Sequence, residues 1–167
     1  MNKLIIFSLA FTLLSCQESK IGFVDYASLM NQYNAKVNLE NTFQQKAQEF
    51  ARKRDSISQI FQMEAQSFQQ RAQNMNPEKA QQEYADLQNR GQQIGQQLQI
   101  EEQMIQEQGS QKMDSLLKTV RQKISEYGKS KGFKFILAGG EGGTVLYGSE
   151  SEDVTTTVLE FLNKSEE

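Results

Sequence analysis

Asn74-Met75-Asn76-Pro77-Glu78 decides how this chain folds. It interrupts a long, glutamine-rich amphipathic stretch, Tyr26 to about Lys129, and it contains the chain's single proline. Asn76 suits the N-cap of a second helix, Pro77 its first turn, and Glu78 the positive end of its dipole. The stretch therefore reads as two helical arms folded back on one another, with the tip near residues 74–77. Counting outward from Asn76 sets Tyr26 opposite roughly Glu126, so the arms match at about fifty residues, or roughly 75 Å, each.

The arms carry a helical period. In the first, Leu39, Phe43, Ala47, Phe50, Arg54, Ile57, Phe61, Ala65, Phe68, Ala72 and Met75 advance by three or four residues, which keeps them on one face. Leu39, Phe50, Phe61 and Ala72 recur every eleven residues, a period that gives a nearly straight or slightly right-handed arrangement. The second arm is heptad-like through Tyr84, Leu87, Gly91, Ile94 and Leu98, with an extra step between Ile105 and Met113. Pairing the arms about Asn76 puts Phe61 opposite Gly91, Ile57 opposite Gly95 and Phe43 opposite Gly109. Glycine costs an exposed helix roughly 1 kcal/mol against alanine. Making room for a large side chain on the facing arm is one reason to keep it; simple loosening of the arm is the other.

The polar faces are amide-rich, with Gln pairs at 44–45, 69–70, 81–82, 92–93 and 96–97. A neutral, hydrogen-bonding surface suits contact with many different chains, although a solvated helix face accounts for most single glutamines. Ile60, Met63, Ile100 and Met104 fall beside the seam. Flexible and branched apolar groups off a packing line suit an adaptable client-binding surface, and they equally suit packing against a neighbouring copy.

Working outward again, strand-like runs flank the arms at Ile21-Gly22-Phe23-Val24-Asp25 and Phe133-Lys134-Phe135-Ile136-Leu137. Gly139-Gly140-Glu141-Gly142-Gly143 then leads toward a third expected strand, Thr144 to Tyr147, and Ser151 or Asp153 caps a last helix over residues 154–162. The glycine run lacks the Lys-Ser/Thr that engages phosphate and metal, and it joins strands instead of opening a helix, so it is not a phosphate loop. Two or three short strands bury too little to stand alone, so the chain is expected to assemble with copies of itself.

The N-terminus has a different character. Lys3 and the apolar run Leu4 to Leu14, too short to span a bilayer stably, precede Leu13-Leu14-Ser15-Cys16. This resembles a bacterial lipoprotein signal, with Cys16 as the lipidated N-terminus. Residues 1–15 are then a signal peptide and 16–20 a lipid-anchored tether. Residues 21–25 with 130–167 form a β-rich oligomerisation body, and 26–129 the helical hairpin arm. Removing Met1 to Ser15 takes away only Lys3, leaving 17 basic against 21 acidic residues, net −4. No basic stripe neutralises phosphates, which argues against nucleic acid. The chain has no His and one Cys, and its carboxylates are scattered along helix faces. It is therefore not expected to be an enzyme or to hold a metal or cofactor.

The "IGFVD" strand, the long helical hairpin, "GFKFIL" and the closing "VLYGSESEDVTTTVLEFLN" together resemble the OmpH/Skp family of periplasmic chaperones for outer-membrane proteins. The resemblance implies an α+β fold: a long antiparallel helical hairpin, a coiled-coil arm, on a small β-rich trimerisation body in a jellyfish-like homotrimer. By position it assigns Ile21, Phe23, Phe135, Leu137, Val145 and Tyr147 to the body, and it spreads client contacts over the inward arm surfaces. The implied function is an ATP-independent holdase that encloses unfolded outer-membrane proteins in the periplasm, tethered to a membrane by its lipid. The family's best-known members are strongly basic and soluble, and this chain departs from them on both counts. A structural or adaptor envelope lipoprotein is the competing reading, distinguished by a single defined partner.

Overall fold

The computed structural model describes residues 19–164. Strand β1 (Ile21–Asp25) is followed by α1 (Tyr26–Gln32), α2 (Asn34–Ala72), α3 (Pro77–Ser130), β2 (Phe135–Gly139), a 3-10 turn at Glu150–Glu152, and α4 (Thr155–Lys164). The expected signal peptide and the expected lipidation site, Cys16, lie outside the described residues.

Local chemistry sets the reversal between α2 and α3. Asn76 Oδ1 accepts from the Glu78 amide at 2.9 Å, Pro77 occupies the first turn, and the Ala80 amide bonds back to Asn76 O at 2.9 Å. The side-chain cap supplies a partner for the Glu78 amide, one of those a helix start otherwise leaves unpaired, and the Ala80 bond is the first of the helix itself. The two long helices, 39 and 54 residues, then run antiparallel in contact. A Cβ built on Gly91 would lie 2.8 Å from Phe61 Cζ, and one on Gly109 would lie 3.3 Å from Phe43 Cδ1. The glycines at these two positions admit the facing rings. At Gly95 nothing lies within 4 Å, so the expected partnership with Ile57 does not form. Phe68 and Tyr84 stack nearer the turn, with ring centroids 6.2 Å apart.

The first arm is not one helix from Tyr26. Tyr33 is extended (φ −71°, ψ 118°) and separates α1 from α2. Its side chain is wholly buried in the core, which Val24, Leu29, Met30, Val120, Tyr127, Val158 and Leu162 complete. Burial of this ring outweighs the helical preference of its neighbours. Asp25 caps α1 by accepting from the Ser28 amide at 2.9 Å. Helix α4 closes the core from below and holds both arms: Asn163 Oδ1 accepts from the Asn34 amide at 3.1 Å, and the Tyr127 and Thr157 hydroxyls are bonded at 2.8 Å.

The sheet corrects the expected fold class. Strands β1 and β2 pair in parallel, Ile21 with Phe135 through Asp25 with Gly139, and an isolated bridge joins Phe23 to Asp153. Thr144 to Tyr147 form no strand, because the Thr144 and Val145 amides both turn back to Ala138 O, at 2.8 and 3.1 Å. The α+β expectation, with its coiled-coil hairpin on a β-rich trimerisation body, is therefore overturned. Among the described residues the fold is mostly helical, four helices with one small parallel sheet that does not close into a barrel. The single chain shows neither a trimerisation body nor a coiled-coil architecture.

Candidate functional site: exposed apolar surfaces

Three surfaces concentrate the chemistry. The first lies on the paired helices, where Ile60, Met63, Ile100 and Met104 are 57, 61, 55 and 48 % exposed. Ion pairs between the helices mark their height. Lys53 meets Glu101 at 2.6 Å, Glu64 meets Arg90, and Arg71 meets Glu83 at 3.6 Å. Ile60 and Met63 lie near the Glu64–Arg90 level, and Ile100 and Met104 near the Lys53–Glu101 level. Eleven residues of helix separate those levels, or about 16 Å. The four side chains thus make two patches rather than one. Ile100 and Met104 border a shallow depression of about 510 Å³ with Lys53, Gln93, Gln96 and Gln97, amide-rich as the sequence suggests.

The second surface is the outer face of the sheet. The register places Ile21 beside Phe135 and Phe23 beside Leu137, on the side opposite buried Val24. Ile21, Phe135 and Leu137 are exposed, while Phe23 and Val145 are half-buried. Leu146 and Tyr147 project from the segment after β2, 100 and 88 % exposed. Sequence reasoning missed Leu146. The resemblance, carried over by position, assigned Val145 and Tyr147 to the body and left Leu146 out.

The third surface was also missed: a groove of about 660 Å³ between β2 and the last turns of α3. Its walls include Val24, Ile124, Phe133 and Ile136, and its cations are Arg121, Lys129 and Lys134. The available signal was the four-residue spacing of Arg121, Ser125 and Lys129, which sets them on one helix face. Among the described residues no three His, Cys, Asp or Glu side chains gather as metal ligands would. No described helix is long and apolar enough to cross a membrane.

A small parallel sheet gripping the roots of two long antiparallel helices is the architecture to be matched. The family described as outer membrane protein (OmpH-like) matches residues 20–162, and the chain belongs to it. A crystal structure from Caulobacter crescentus, described as a candidate outer membrane chaperone (OmpH-like), superposes with a TM-score of 0.77 at 11 % identity. The superposition covers 88 % of this chain and 85 % of that one, so the two share a fold. No curated protein matches the sequence.

Proposed function

We propose that this chain is an ATP-independent periplasmic holdase that shields unfolded outer-membrane proteins. The observation that carries the reading is the pair of exposed apolar patches, Ile60 with Met63 and Ile100 with Met104, set on long helices whose surroundings are largely amides. Solvated apolar patches of this kind mark contact surfaces, and methionine adapts to varied partners. Each patch is small, so grip on a client comes from several acting together. Family membership and the shared fold with the Caulobacter protein support the same reading.

Self-association fits the second surface. Ile21, Phe23, Phe135, Leu137, Val145 and Tyr147 would be covered by other copies, three in the arrangement the resemblance implies, so that arms of several chains surround one client. Lipidation of Cys16 would tether the assembly to a membrane, and several anchors would hold it far more firmly than one. The mature protein should suppress light scattering when a urea-unfolded outer-membrane barrel is diluted into buffer without nucleotide. Undiminished aggregation at a several-fold excess of protein would remove the reading. One defined partner in crosslinking, with no unfolded barrels among the products, would favour the adaptor role instead.

A further inference from the structure

The methionines of this chain divide by exposure. Met30 is buried in the core at the root, 8 % exposed, and Met75 and Met113 are half-buried. Met63 and Met104 are exposed on the paired helices. Each stands one turn from its apolar neighbour, Met63 from Ile60 and Met104 from Ile100, so each patch holds one accessible sulfur. The accessible thioethers thus lie where the proposed client contacts are, and the core's methionine is shielded. With one Cys against six Met, methionine carries most of the chain's sulfur.

Peroxides act on such exposed thioethers. The sulfur lone pair attacks one peroxide oxygen, and an S–O bond forms as the O–O bond breaks. The departing hydroxide takes the proton from the transferred oxygen and leaves as water; sulfur loses two electrons and the peroxide gains them. The product sulfoxide is polar where the thioether was apolar. Met104 borders its depression with Gln93, Gln96 and Gln97. Their amides can donate hydrogen bonds to a sulfoxide oxygen, whereas a thioether is only a weak acceptor. Oxidation there replaces an apolar contact surface with a solvated, locally partnered one.

We propose that Met63 and Met104 are modification sites that switch the client-binding surface off. A peroxide converts both to sulfoxides, and the arms lose their grip while the root stays folded. The root is spared because Met30, the methionine of the core, is out of reach of the oxidant. The change is reversible, since sulfoxides are reduced enzymatically, with one enzyme for each epimer. The inference rests on the client-holding reading and adds the means by which that surface is regulated.

The test treats the purified mature protein with hydrogen peroxide and follows sulfoxide at each methionine by peptide mass spectrometry. Met63 and Met104 should convert about tenfold faster than Met30. Suppression of barrel aggregation should fall at least about twofold as they convert, with helical circular dichroism unchanged. The two sulfoxide reductases together should restore it. Met63→Leu with Met104→Leu should keep, after the same treatment, whatever suppression it shows before; Met75→Leu with Met113→Leu should lose it as the parent does. Conversion of Met63 and Met104 no faster than Met30 overturns the proposal, as a neighbouring copy covering them would produce. So does suppression that outlasts their full conversion, or an equal loss in the Met63→Leu with Met104→Leu variant. The hydrophobic dye bis-ANS reads the patches without a client. If the untreated protein never suppresses aggregation, the holdase reading fails. Dye fluorescence that drops on oxidation in the parent, and not in the Met63→Leu with Met104→Leu variant, then leaves the switch standing; no drop overturns it.

Discussion

Gly91 and Gly95 lie one helical turn apart on α3 and make opposite demands. Gly91 faces the end of the Phe61 ring, whereas Gly95 faces open space. Alanine at Gly95 should therefore add helix propensity without steric cost, stabilising by up to about 1 kcal/mol. Valine at Gly91 should push against the ring and destabilise by about 1–3 kcal/mol. Paired denaturant titrations check both, and if the two variants move stability in the same direction the packing account is wrong. Legibility at this scale followed geometry. Counting outward from Asn76 found the ring partners of Gly91 and Gly109 because those contacts depend only on register. It misassigned Gly95 because register alone does not tell whether the Ile57 side chain reaches across.

The helix boundaries divide the same way. The reversal before α3 was readable because its chemistry is contained in Asn76-Pro77-Glu78, and the structure uses the cap that those residues supply. Asn76→Ala should accordingly cost about 1 kcal/mol, seen as a lower denaturant midpoint with unchanged helical content in circular dichroism. Two other features were not readable. The break at Tyr33 comes from burial of its ring among side chains distant in sequence, and no local pattern announces it. Thr144-Val145-Leu146-Tyr147 has strand-like composition, yet its first two amides are drawn back to a single carbonyl at Ala138. Composition gave the preference of that segment, and tertiary hydrogen bonding overrode it. At the base, Tyr127→Phe removes the hydroxyl shared with Thr157 and should cost about 1 kcal/mol.

Across the whole molecule, the proposed contact residues and the buried core do not overlap. Ile60, Met63, Ile100 and Met104 are solvated, so replacing all four with serine should leave the midpoint of unfolding nearly unchanged. The same variant should lose most suppression of barrel aggregation, measured by turbidity against the parent protein. Their positions off the packing line could be read from helical spacing; the stagger of about 14 Å between the pairs could not, since it needs the two helices held in register by their ion pairs. Replacing Leu146 and Tyr147 with serine should lower the mass found by light scattering, if those side chains meet another copy. The fully buried side chains, Leu29, Tyr33, Val120, Val158 and Leu162, all sit at the root of the helices, and on α2 only Phe50 is buried. Amide deuteration should therefore advance from the Asn76 end inward, quick at the far turns and slow around Tyr127. If the proposed holdase reading holds, a molecule that loosens from the free end while its root stays closed would reshape its grip on each new chain without ever coming apart.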